Sequence, residues 1–188
     1  MTKNLNNVRI FDGEDSAVYV APKGSTGPTD LTAPPSPFAE VGWISEDGVD
    51  ETVTQSSQTF RAWQGGEIVR SKVTQADASF RFQALEYNLV THGLKYRGQT
   101  PEVTGVGEAA VAKTTVTDQT AQDTRAWVFD MIDGDVTKRY VIPAGDYTMT
   151  GSIQHRASGL TIYEFTVTPV GDYFEYTNDP AITGNPAS

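Results

Sequence analysis

The sequence predicts a mainly β protein: an antiparallel β-sandwich or half-barrel carrying one flanking α-helix. Apolar and polar residues alternate through several segments, so each buries one face against a core. Asp-Gly and Gly-Asp pairs fall between these segments as turn signals. Only the stretch 84–98 departs from the two-residue period in favour of a helical one.

Residues 1–15 are polar and Asn-rich and read as a flexible N-terminal segment. Residues 21–37, "APKGSTGPTDLTAPPSP", hold five prolines and two glycines. Proline lacks the amide proton that a ladder or helix needs, so this stretch reads as an arm outside the core, dispensable for folding. Val41-Gly42-Trp43-Ile44 then runs into Glu46, Asp47, Asp50 and Glu51, four carboxylates within six residues. Asp47-Gly48 is expected at the tip of a turn, between a strand ending at Ile44 or Ser45 and another starting at Val49.

In the next strand Ala78, Phe80, Phe82 and Ala84 point one way and Ser79, Arg81 and Gln83 the other. "ALEYNLVTHGLKYRG" places Leu85, Leu89 and Tyr96 on one helical face and Tyr87, Val90 and Leu94 on another. Glu86 near its start and Lys95 and Arg97 near its end suit the helix dipole, and Gly98 stops it. Apolar residues on two faces imply cover from two sides, one of them a neighbour. Trp127, Phe129 and Met131 alternate with Val128 and Asp130, and Asp133-Gly134 reads as a hairpin turn. Ala144-Gly145-Asp146 is a further turn signal. Tyr147, Met149 and Ile153 share one face, as do Tyr163, Phe165 and Val167. Residues 176–188 form a polar tail with two prolines.

The 188 residues suffice for a single domain with its own core. The net charge of −10, with no run of Lys or Arg, argues against a nucleic-acid grip. There is no cysteine, hence no disulfide or thiolate metal site. The chain lacks an apolar run of about 18 residues, so no membrane segment is expected, and its start lacks a signal core.

Catalytic, cofactor and metal signatures are weak. "GVGEAA", 105–110, matches G-x-G-x-x-A, but the β-branched run behind it does not open a helix. Asp12, Glu14 and Asp15, and Asp130, Asp133 and Asp135, are acid groups; an EF-hand loop begun at Asp130 fails at Ile132. His92 and His155 have no zinc spacing, and a G-x-S-x-G elbow is missing. Paired carboxylates for glycoside chemistry stay open on spacing alone. No catalytic, cofactor or metal residue is therefore nominated, and the chain is expected not to be an enzyme.

The order "FAEVGWISEDGV", "RAWQGGEIVRS", "ASFRFQALEYN" and "GLKYRG", after a Pro-rich arm and before further strands and a tail, resembles the major tail (tail tube) protein of long-tailed bacteriophages, particularly of actinobacteriophages. The resemblance is strongest over residues 38–97. It implies a sandwich or half-barrel similar to the tube protein of type VI secretion. It also implies hexameric rings stacked into the tail tube of the virion, built in the host cytoplasm. The partners implied are a tape-measure protein, a baseplate initiator and a tail terminator, with DNA passing through unbound. An acidic lumen fits the net charge, because it repels phosphate. In that family a long hairpin near here reaches a neighbouring subunit. Glu46, Asp47, Asp50 and Glu51 are therefore candidate inter-subunit contacts, with Arg61, Arg70 and Lys72 as candidate basic partners; an ordinary solvated hairpin is the plain alternative. The alternative function is a carbohydrate- or receptor-binding sandwich, with Trp43, Trp63 and Trp127 stacking on sugars.

Overall fold

The computed structural model describes residues 3–117 and 122–184. Its strands are β1 (Ala17–Pro22), β2 (Ala39–Glu40), β3 (Ile44–Arg61), β4 (Ile68–Ala84), β5 (Glu102–Thr104), β6 (Val111–Lys113), β7 (Thr124–Asp133), β8 (Val136–Thr150), β9 (Tyr163–Pro169) and β10 (Phe174–Thr177). Two short helices, α1 (Leu89–Lys95) and α2 (Pro180–Thr183), join them. The main sheet is antiparallel and open, in the order β2-β1-β7-β8-β9-β4-β3, with β10 also on β8; β5 and β6 form a separate ribbon.

Alternation builds the core as expected. Phe80, Phe82 and Ala84 of β4 meet Tyr163, Phe165 and Val167 of β9 and Trp127 and Phe129 of β7, all buried. Phe80 lies 5.2 Å from Phe129 and 5.0 Å from Tyr140, ring centre to ring centre, so the two ends of the sheet fold over one aromatic cluster. The sheet bends because β8 changes partner midway. Its first half pairs β10 through Lys138–Val141 and its second half pairs β9 through Gly145–Thr150.

The turn expected at Ala144-Gly145-Asp146 is instead inside β8. Glycine serves there for close approach: a Cβ at Gly145 would sit 2.8 Å from Val167 and 3.0 Å from Trp127. The hairpin at Asp133-Gly134 forms as predicted, with Asp133 paired to Val136 and Gly134 at φ +56°.

The expected helix over 84–98 shrinks to Leu89–Lys95. The amide of Leu85 donates to the carbonyl of Trp43 at 2.8 Å and Asn88 Nδ2 donates to the carbonyl of Val41 at 2.8 Å, so residues 84–88 stay extended. Asn88 then caps the helix, its Oδ1 accepting from the amides of Val90 and Thr91 while Thr91 Oγ1 accepts from the amide of Asn88. Leu94 and Thr91 face the core, and Leu89 is 69% exposed.

Residues 21–37 are not an arm standing clear of the fold. Ala21 and Pro22 complete β1, at the position where the ladder ends. Residues 23–38 cross the outer face of β1, β7 and β8 as a strap, with Pro28 buried. Arg139 Nη1 donates to the carbonyls of Asp30 at 2.8 Å and Thr32 at 2.6 Å. Val128, Asp130, Arg139 and Val141 are consequently buried although they face away from the aromatic core. The 176–188 tail likewise starts as the end of β10 and continues into α2, capped by Asp179; residues 185–188 lie outside the described residues. Arg9 and Asp179 join the two terminal segments through hydrogen bonds of 2.8 and 2.7 Å.

Candidate assembly surfaces

β3 and β4 pair along their whole length, but β9 covers β4 only from Phe80 to Ala84. The remainder is a two-stranded ribbon closed by a turn around Trp63-Gln64-Gly65-Gly66. Gly65 and Gly66 take φ +77° and +70°, which the turn requires. Arg61 Nη1 donates to the carbonyl of Gly66 at 2.9 Å and braces the turn. Trp63 is 97% exposed, and Val53, Phe60, Ile68, Val69 and Val73 along the ribbon are exposed too. Apolar side chains in such a series on a protruding element mark a surface that another molecule covers.

The carboxylate cluster is not at a turn tip. Asp47-Gly48 lies inside β3, where the ladder steps from Ile44↔Ala84 to Val49↔Phe82 and the surplus residues bulge out, Gly48 at φ +66°. The hairpin exists, but its tip is 62–67. Glu46 and Asp47 are exposed on the bulge. Asp50 pairs with Arg81 at 2.5 Å. Glu51 Oε2 accepts from the Tyr140 hydroxyl at 2.7 Å, and burial, reinforced by Glu51, raises the Tyr140 phenol far above the ordinary tyrosine range. Arg70 stands opposite Phe60, and Lys72 opposite Gln58. The three cations thus sit on the outer ribbon and the four carboxylates at its base, on one hairpin; a single chain does not bring the two groups together.

Two further surfaces were not singled out from the sequence. One is the pair of sheet ends: β3 has a free edge, and at the opposite end β2 is only two residues long. The other is the apolar group at the joined termini, where Leu5, Val8, Ile10 and Ile182 are exposed. Leu5, Val8 and Ile10 were legible as apolar residues in a polar segment, but only the Arg9–Asp179 pair puts Ile182 on the same joined segments.

The remaining motifs resolve into ordinary structure. Residues 105–110 join β5 to β6 through a single 3₁₀ turn, not a strand-to-helix phosphate loop. Among the described residues no cluster of three or more His, Cys, Asp or Glu is placed to hold a metal. His92 packs 4.8 Å from Tyr96 and shares a 2.8 Å hydrogen bond with Thr114 Oγ1. Trp127 is in the core, whereas Trp43 and Trp63 are exposed. Among the described residues no helix is long and apolar enough to cross a membrane.

A family model described as phage tail tube protein matches residues 1–175 of the chain. No curated protein matches it. With nearly the whole chain inside that model, and an open antiparallel β fold as expected of it, the chain belongs to the phage tail tube protein family, structural components of the phage tail.

Proposed function

We propose that the chain is the repeating subunit of a tail tube, assembling as hexameric rings that stack into the conduit through which the genome enters the host. The observation that carries this reading is the β3–β4 ribbon with its exposed Trp63 and apolar flank. A free edge on β3 and an open opposite end supply two different surfaces, which suits a heterologous contact that closes into a ring. The chain acts as one domain, with a structural rather than an enzymatic role. A tape-measure protein, a baseplate initiator and a tail terminator are its partners, and assembly takes place in the host cytoplasm.

In this reading Glu46 and Asp47, exposed on the bulge, meet cations of a neighbouring copy, for which Arg61, Arg70 and Lys72 on the ribbon are suited. Asp50 and Glu51 contribute less, since each has a partner in its own chain.

Electron microscopy of the concentrated protein tests the proposal. Rings or tubes roughly 100 Å wide are expected for six domains of this size. Trp63→Ser should leave the fold intact and reduce tube formation. Dispersed monomers that bind glycans would favour instead a sugar-binding module, for which exposed Trp43 and Trp63 are the available stacking surfaces.

A further inference from the structure

The outer face of the main sheet is divided. Over β1, β7 and the first half of β8 it lies under the strap. Over β3, β4, β9 and the second half of β8 it is bare. The registers put Thr52, Ser79, Gln83, Thr148, Thr166 and Thr168 on this bare part, and among the described residues no exposed large hydrophobic residue projects from its strands there; Leu160 and Ile162, on the loop between β8 and β9, are exposed at its rim beside Gln83, Thr150 and Glu164. The ribbon, the termini and the β5–β6 ribbon all carry such residues. In an assembly that covers apolar surface, a face whose strands carry none is the one left in water.

Where β4 lies between β3 and β9, this face has one cation among the described residues of its strands. Arg81 lies between two carboxylates, 2.5 Å from Asp50 and 3.6 Å from Glu164. Glu164 is itself held by Thr150 Oγ1 at 2.7 Å and Gln83 Nε2 at 3.0 Å. Arg156 stands at the rim, beside Gln83 and Thr150. Arg81 and Asp50 are each about half exposed, so the group is open to whatever passes. An exposed pair of this kind adds little to stability. Its consequence is chemical: a free guanidinium binds phosphate in a two-pronged fashion, and one already held by carboxylates does not.

Resting on the tube reading, we propose that this bare face is the wall past which the genome moves, and that Asp50 and Glu164 hold Arg81 so that it does not grip the phosphate backbone. A single weak phosphate contact per subunit would be repeated around every ring and along every stack, and would become a strong brake.

The test uses tubes assembled in the presence of duplex DNA and sedimented at about 0.15 M salt, where only close charges act. Wild-type tubes should carry down no DNA. Asp50→Asn with Glu164→Gln should retain it, with retention falling as salt rises. Adding Arg81→Gln to that pair should abolish retention. Carboxamide tubes that hold no more DNA than wild type would overturn the proposal. A second arm locates the face even if the carboxamide variant does not assemble. The chain has no cysteine, so Thr166→Cys can be biotinylated at one position. Streptavidin, too bulky for a bore that passes one duplex, should bind the dissociated subunits but not the wall of intact tubes. Decoration along intact tubes would refute the luminal assignment and leave the tube reading standing; failure of the wild type to form any tube would strike the tube reading itself.

Discussion

Arg139 of β8 and Asp130 of β7 stand directly opposite one another and form a buried two-pronged ion pair of 2.5 and 2.6 Å. The guanidinium also donates through Nη1 to two carbonyls of the strap, so one side chain ties sheet and strap together. Neither residue faces the aromatic core, yet both are more than nine-tenths buried.

Truncating one partner leaves the other charge buried and alone. Arg139→Ala should therefore cost about 3–5 kcal/mol, read as a lowered midpoint in urea unfolding. The strap should also loosen, so that trypsin cuts after Lys23 faster than in the wild type. An unchanged midpoint would mean that water replaces the guanidinium at no penalty.

The strap should matter to folding as a whole. Deleting residues 22–36 exposes the outer sides of Val128 and Val141 and removes the two strap carbonyls that accept from Arg139. The deletion should then unfold at clearly lower denaturant or lose its cooperative transition, contrary to what composition alone suggests. A variant as stable as the parent would return the segment to the role of a detachable arm.

Gly145→Val should destabilise by about 1–3 kcal/mol through overpacking against Trp127, Val167 and Ile142. Gly48, with nothing near its missing Cβ, provides the contrast: crowding plays no part there, and any cost comes from its positive φ. Thermal melts of both variants separate the two effects. Equal losses would argue against crowding as the reason for the glycine inside β8.

The terminal pair should respond to acid. The hydrogen bond from Arg9 first, then the amide of Ala181, lowers the Asp179 carboxyl from its ordinary 3.8 to about 2. A depressed folded-state value favours the ordered form above the unfolded value, and that gain fades as pH falls from about 4 towards 2. Hydrogen exchange at Ala181 and Thr183 should quicken through that window, and Arg9→Gln should shift the change to higher pH. Exchange that is flat across the window would show that the pair does not order α2.

The sequence by itself determined the β class, the inward sides of β4, β7 and β9, the hairpin at Asp133-Gly134 and the family. These follow from local rules, because a two-residue period sets which side chains share a face whatever the strand pairs with. The family resemblance implied a long hairpin near the carboxylates, but the sequence put its tip at Asp47-Gly48; the tip at 62–67, with Arg61, Arg70 and Lys72 on the ribbon, came from the tertiary structure. Tertiary structure alone decided the rest. Gly48 and Gly145 both look like turns, but their strands run on: β8 is held between β7 and β9, and β3 resumes its pairing with β4 beyond the bulge. Residues 84–88 had the helical period and lost it to hydrogen bonds with Trp43 and Val41, forty residues or more away. The strap was read as free because proline cannot pair in a ladder; its cover of Val128 and its hold on Arg139 depend on contacts more than a hundred residues apart. Separation in sequence also hid the Arg81 group, where carboxylates from β3 and β9 meet on β4 only once the sheet is assembled.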